Sequence, residues 1–221
     1  MDLSFLWDIN FFLFQFIGYK VSLIELVGTI TGLLSVWYGA KNNIRIWYLG
    51  FINVIAFGII FFQINLYADM LLQVFYFIAT VYGLYKWNDK TNEDGAIQLL
   101  SSKEYLVSAI AMIQLFLLLS WFTRYFPHLF EAQKIPFSSY PIIDSFLSAA
   151  SVIATILMAR RKLESWIMWI AIDAASVLLY LKKEVFLIAI EFGVFTALAV
   201  YGFISWKKLK IESDFHHNTS I

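Results

Sequence analysis

Residues 165–181 read Ser165-Trp166-Ile167-Met168-Trp169-Ile170-Ala171-Ile172-Asp173-Ala174-Ala175-Ser176-Val177-Leu178-Leu179-Tyr180-Leu181. The run is apolar and long enough to cross a bilayer, yet it carries one carboxylate, Asp173, at its centre. On insertion scales a charge at that depth costs about 2.5–3.5 kcal/mol. A partner, a water-filled cavity or a cationic ligand has to offset it. Trp166, Trp169 and Asp173 stand at i, i+3 and i+7, so at 3.6 residues per turn they share one helix face. Two indole faces above a carboxylate suit an aromatic cation. The plainer readings are that the tryptophans, which open the span, are interfacial belt residues, and that Asp173 pairs with a basic residue. No basic residue lies deep in any apolar run.

The rest of the chain has the same character. Of its 221 residues, 61% are hydrophobic and 14% charged, against about 45–50% and about 25% in soluble domains. This is the composition of a polytopic membrane protein, with the lipid bilayer as its first partner. Without cysteine, neither a disulfide framework nor a thiolate metal site is available. The balance of 16 basic and 16 acidic residues argues against nucleic-acid binding. The start, Met1-Asp2-Leu3-Ser4, lacks a basic n-region, so no signal peptide is expected.

Seven spans are expected, near 22–40, 46–63, 68–87, 104–122, 142–159, 165–181 and 185–206. Residues 3–18 are Phe- and Leu-rich but interrupted by Asp8, Asn10 and Gln15. They read as an amphipathic interfacial helix with Trp7 at headgroup level, or else as a short tilted span. Residues 88–103 and 123–141 read as hydrophilic loops. The second holds Pro127, Pro136 and Pro141, all the prolines of the chain, which disfavour helix. The tail after Trp206 is polar, and His216 and His217 in it read as solvated residues. With the residues before the first span outside, eleven of the 16 basic residues fall inside, which predicts a cytoplasmic C-terminus in a bacterial inner membrane.

An internal repeat organises the spans. At an ungapped offset of 119 residues, Trp47 falls on Trp166, Tyr82-Gly83 on Tyr201-Gly202, and Trp87 on Trp206. Glu25 falls on Asp144 and Lys41 on Arg160. Each unit opens with an acid, turns at a base and closes with Tyr-Gly-x-x-x-Trp. Spans 1–3 and 5–7 are displaced by four spans, so the units run parallel, with span four as connector. The expected organisation is an interfacial segment at 1–20, a first three-helix repeat at 21–87, a connector at 88–141, a second repeat at 142–206 and a tail at 207–221. In parallel-repeat transporters the substrate lies near the midplane, at the repeat interface.

The runs Ile24-Glu25-Leu26-Val27-Gly28-Thr29-Ile30, Gly58-Ile59-Ile60-Phe61-Phe62-Gln63-Ile64-Asn65-Leu66-Tyr67-Ala68-Asp69 and Leu71-Leu72-Gln73-Val74-Phe75-Tyr76 carry a resemblance when taken with the Trp-x-x-Trp pair. From about residue 19 to residue 206 the chain resembles the PnuC family of bacterial vitamin transporters. The resemblance implies an all-α membrane protein of seven helices in a 3+1+3, SWEET-like arrangement. It also implies a homotrimer, no cofactor, and facilitated diffusion of a vitamin that a cytoplasmic kinase phosphorylates and so traps. Nicotinamide riboside transporters typically read Trp-x-x-Trp-x-x-x-Asn in span six, where this chain has Asp173. Thiamine-transporting relatives, often called PnuT, resemble the Asp form. An ionised carboxylate only accepts hydrogen bonds, which suits an aminopyrimidine donor beside a thiazolium charge. Thiamine is therefore the expected substrate, with nicotinamide riboside as the alternative.

Further candidates join Trp166, Trp169 and Asp173. Gln73 and Tyr76 lie at i and i+3 on span three; the resemblance puts them on the cavity, and plain interhelical bonding is the other reading. Asn53 falls within one residue of Asp173 by the repeat, and either shares its cavity or bonds between helices. Glu191, between Ile190 and Phe192, either lines the external vestibule or pairs with a snorkelling Lys183. An intramembrane enzyme would need an acid–base or metal constellation within the spans. The spans contain no His or Cys, and no Asp–Asp or His–Glu pair at one-turn spacing, so no catalytic or metal residue is expected. No Walker-type phosphate loop is present, which argues against ATP as the direct energy source.

Overall fold

Each of the seven expected spans folds as a helix. The computed structural model describes residues 6–16, 19–64, 67–88, 96–129, 140–183 and 185–219. Its helices are α1 (Leu23–Ala40), α2 (Arg45–Gln63), α3 (Tyr67–Asn88), α4 (Ser102–Leu129), α5 (Pro141–Ala159), α6 (Glu164–Lys182) and α7 (Phe186–Thr219). Six are long and apolar enough to cross a membrane. The exception is α3, which carries Asp69, Gln73 and Lys86 among its tyrosines.

Two helices run past their expected ends. Helix α4 continues through Pro127 to Leu129. A proline this close to a helix end removes one backbone bond in the final turn and leaves the body of the helix intact. Pro141 instead opens α5, where its missing N–H costs nothing. Helix α7 extends past Trp206 to Thr219. The ion pairs Lys208–Glu212 (3.8 Å) and Lys210–Asp214 (2.9 Å) at i, i+4 support that polar turn-by-turn extension.

The expected interfacial helix at the N-terminus gives way to a hairpin. Strand β1 (Phe12–Phe16) pairs antiparallel with β2 (Tyr19–Ser22), with Phe14 opposite Val21 and Gln15 opposite Lys20. The aromatic run 11–16 favours a pleated surface over a helix. Its partner strand leads straight into α1, where Ser22 and Glu25 form a reciprocal capping box. Gln15, expected to interrupt the run, lies in β1 opposite Lys20, while Asp8 precedes the strand and accepts from Asn10 N at 2.8 Å. Residues 1–5 lie outside the described residues, as does Pro136.

The helices form a ring. Helix α1 packs on α2 and α7, α3 on α2 and α5, and α6 on α5 and α7, while α4 lies against α5 outside it. The ring order is α1, α2, α3, α5, α6, α7. Under the offset of 119, α1 corresponds to α5, α2 to α6 and α3 to α7, so the two contacts between halves, α1 with α7 and α5 with α3, are themselves a corresponding pair.

At the end rich in Lys and Arg the correspondence is close. Asn42 and Arg161, 119 residues apart, both take positive φ, 50° and 52°, and Arg161 Nε donates to Asn42 Oδ1 at 3.2 Å. Trp47 stands edge-on to Trp87 and Trp166 edge-on to Trp206, each pair with centroids 5.6 Å apart at 86°. Trp87 Nε1 donates across to Ala159 O (3.1 Å), and Trp206 Nε1 to Gly39 O (2.8 Å). Each half thus caps the first helix of the other. A Cβ on Gly83 would come within 2.4 Å of Trp47, and one on Gly202 within 2.7 Å of Trp166, so only glycine admits the indoles. The Nε1 groups of Trp47 and Trp166 are both buried without a partner among the described residues.

The connector is fastened to this end. Gln98 bridges to Lys162, Leu100 N donates to Glu164 Oε1 (3.0 Å), and Ile97 joins the tryptophan core. Lys162, buried, pairs with Glu104 at 2.9 Å. Part of the expected hydrophilic loop is therefore packed, while residues 89–95 lie outside the described residues.

Candidate functional site

Helix α6 sorts its three marked residues by depth. Trp166 is 1% exposed and sits in the tryptophan core with Trp87, Trp206 and Leu163. It is sealed beneath Gly202, so its ring face belongs to protein packing. Trp169, one turn further in, is half-buried and touches both that core and a second cluster of Ala150, Ala154 and Ile172. Its indole N–H makes no hydrogen bond among the described residues. Asp173 is 5% exposed, and among the described residues no hydrogen bond or ion pair holds its carboxylate. A charge so placed is costly unless a ligand or water meets it.

Asp173 has hydroxyl neighbours from two other helices. The Tyr76 hydroxyl on α3 lies within electrostatic reach of Ser151 of α5 and of Asp173. Ser151 Oγ in turn donates to Leu147 O at 2.8 Å. Three helices, α3, α5 and α6, thus converge on one polar point in an otherwise apolar layer. Gln73, one turn from Tyr76, faces α2, its Cβ 3.7 Å from where a Cβ on Gly58 would stand.

Asn53 has a different use. Its Nδ2 donates to Gly28 O of α1 at 2.8 Å and fills the space over Gly32, 2.7 Å from where a Cβ would stand. The amide is thus engaged in helix–helix bonding. Glu191 on α7 does not meet Lys183, which pairs with Asp144 at 3.3 Å. Its carboxylate lies within electrostatic reach of Tyr19 and Tyr180, at the end of the ring opposite the Lys- and Arg-rich one. Tyr180 stacks on Phe192 beside it (5.4 Å, 14°). Outside the spans, burial and the hydrogen bond to Glu25 push the Tyr19 phenol up to about 12.

Ser151 was not among the residues marked from sequence. The signal was available: under the offset of 119, Ser151 falls on Gly32, Tyr76 on Phe195 and Ile172 on Asn53. In the structure Gly32 is indeed met by Asn53 and by the Phe195 ring, the latter at 3.9 Å. The corresponding junctions carry different groups, a glycine and the Asn53 amide in one and the Ser151 and Tyr76 hydroxyls in the other, with Asp173 one residue past the position that matches Asn53.

A ring of apolar helices with an unpaired intramembrane carboxylate beside an aromatic face is the build of a membrane transporter. Residues 22–208 match the family described as nicotinamide mononucleotide transporter, and the chain belongs to that family, the PnuC transporters. It is 34% identical to the nicotinamide riboside transporter PnuC of Escherichia coli, covering 86% of this chain and 87% of that one. It is 22% identical to the riboflavin/roseoflavin transporter RibM of Streptomyces davaonensis, covering 82% and 83%. A crystal structure of the vitamin B3 transporter PnuC superposes with a TM-score of 0.63 at 22% identity, covering 86% of this chain and 82% of that one. That likeness carries the fold.

Proposed function

We propose that this protein carries a small, cationic, ring-bearing vitamin across the bacterial inner membrane, and that thiamine is its substrate. The observation that carries this reading is the buried, unpaired Asp173, one turn below the half-buried Trp169. A cation over the indole face and against the carboxylate supplies the missing counter-charge. Trp169, Asp173, Tyr76 and Gln73 form the binding residues, Glu191 lines the external mouth, and Trp166 and Asn53 hold the helices that present them. The helices follow the parallel-repeat 3+1+3 plan, with α3 as the seventh span and the Lys- and Arg-rich end, including the C-terminus, in the cytoplasm. Transport is facilitated diffusion by a homotrimer, made directional by a cytoplasmic vitamin kinase.

Nicotinamide riboside is the second reading, favoured by the name and 34% identity of the Escherichia coli relative. Binding of both vitamins to purified protein, before and after Asp173→Asn, separates the two. With thiamine as substrate, the amide variant loses a charge-assisted bond, roughly twice as strong as a neutral one, and thiamine affinity falls while that for the riboside holds or rises. Equal thiamine affinity in parent and variant removes the carboxylate from the selection and overturns the thiamine reading.

A further inference from the structure

The glycines of the helix seams are of two kinds. At Gly32, Gly39, Gly83 and Gly202 a Cβ would come within 2.7 Å of a neighbouring side chain, so packing requires glycine. At Gly50, on α2, a Cβ would meet two atoms, Ser35 Oγ at 3.4 Å and Thr80 Oγ1 at 3.9 Å, both ordinary contacts. Glycine weakens a helix interior relative to alanine, and here the neighbours do not require it. Gly50 shares its face of α2 with the buried Ile46, Trp47 and Val54, opposite the exposed Tyr48, Ile52 and Ile55. The space that it leaves therefore faces into the ring.

The other half shows what the space corresponds to. Under the offset of 119, Gly50 falls on Trp169, Ser35 on Ala154 and Thr80 on Ala199. The Trp169 indole touches both the cluster that holds Ala199 and the cluster that holds Ala154. The first half has a hydrogen in place of that indole, and two hydroxyl-bearing side chains in place of the alanines. Thr80 also follows Tyr76 at i+4 on one face of α3, as Trp169 precedes Asp173 by one turn on α6. The niche thus adjoins the Tyr76–Asp173 point on the side of Trp169.

The two hydroxyls are complementary. Ser35 is 9% exposed, and its proton goes to Ile46 O at 2.7 Å, so towards the niche it offers lone pairs. Thr80 is 4% exposed, and among the described residues its hydroxyl has no hydrogen-bond partner. It has a proton to give, and a buried hydroxyl left unpaired is costly. An alcohol answers both, donating to Ser35 and accepting from Thr80.

We propose that Gly50, Ser35 and Thr80 form a second subsite, in the first half of the molecule, which takes an alcohol of the transported vitamin while its cationic ring lies on Trp169 and Asp173. This rests on the transport reading above and deepens it. The ligand class becomes an aromatic cation with a hydroxyl-bearing arm, which thiamine and nicotinamide riboside both have.

The test uses full-length protein in nanodiscs. Thiamine and nicotinamide riboside are each set against the analogue whose primary hydroxyl is replaced by hydrogen. The parent binds the hydroxyl member of the pair that it takes more tightly, by about fivefold or more, the value of at least one hydrogen bond. Thr80→Val keeps the shape, narrows that ratio by about fivefold and leaves the affinity for the deoxy analogue unchanged. Gly50→Ala puts a methyl group in the niche and lowers the affinity for the hydroxyl ligand by about fivefold or more. Its melting temperature does not fall, because the added Cβ makes ordinary contacts. A parent that binds a vitamin and its deoxy analogue equally overturns this inference and leaves the transport reading standing. So does Thr80→Val if it weakens both members alike or neither, and so does Gly50→Ala if it binds as the parent does. A parent that binds neither vitamin overturns both.

Discussion

The two halves of the molecule agree at one level of the membrane and part at another. At the Lys- and Arg-rich end, Trp47 on Gly83 repeats as Trp166 on Gly202, with the same ring geometry at both places. Half a helix deeper, Gly32, Asn53 and Phe195 of one half correspond to Ser151, Ile172 and Tyr76 of the other, where Asp173 stands next to Ile172. Packing accepts the same solution twice because the seams between halves are equivalent. A single small ligand has no use for two equivalent sites. The place where the repeat breaks is therefore the better guide to chemistry, and the place where it holds is the guide to stability.

The contrast is most exposed at the tryptophans. Trp166→Ala and Trp47→Ala each empty a buried indole site and are expected to cost about 3–5 kcal/mol, to similar extents, as read by thermal melting in detergent. A Trp166→Ala protein that melts normally but has lost ligand binding would return Trp166 to the site. Trp169→Ala should act the other way. Removing a desolvated ring face worth about 2 kcal/mol or more to a cation weakens ligand binding over tenfold, while the empty protein melts closer to the parent than Trp166→Ala does. A next step down, Gly83→Ala and Gly202→Ala force a Cβ into the opposing indoles and should each cost about 1–3 kcal/mol. If only one of the two destabilises, the clamps are not equivalent. The smallest change is Asn42→Gly. Glycine takes the positive φ freely, and the loss includes the hydrogen bond from Arg161. Melting should move by about 1 kcal/mol or less.

Much of this contrast was legible in the chain, and the illegible part has physical causes. Continuous apolar runs bounded by charges placed most helix ends within two residues. Trp47, Gly83, Trp87 and their partners announced the repeat, since bulky and absent side chains must be matched in a clamp. A helical wheel put Trp166 and Trp169 on one face, but what a face meets depends on the neighbouring helix, and only Gly202 of α7 reveals that the first ring is sealed. Ser151 looked like any small residue at a helix contact. Asn53 falls within one residue of Asp173 by the repeat, but its partner Gly28 O is a backbone group, invisible to side-chain patterns. The N-terminal hairpin was missed because residues 11–16 are apolar without alternation, which is ambiguous between strand and helix.

Helix α4 stands apart from all of this, with no part of its apolar window buried in the protein. Helix α3 ends at the Lys- and Arg-rich end, α5 begins at the opposite one, and α4 joins them. It leaves α1–α3 and α5–α7 joined in one chain. Its halves meet at an effective concentration set by a tether, and are held by crossed bonds such as Trp87 to Ala159 and Trp206 to Gly39. Genetic drift can then work on one junction while the other keeps the pair assembled, an option closed to a symmetric dimer in which every substitution lands twice.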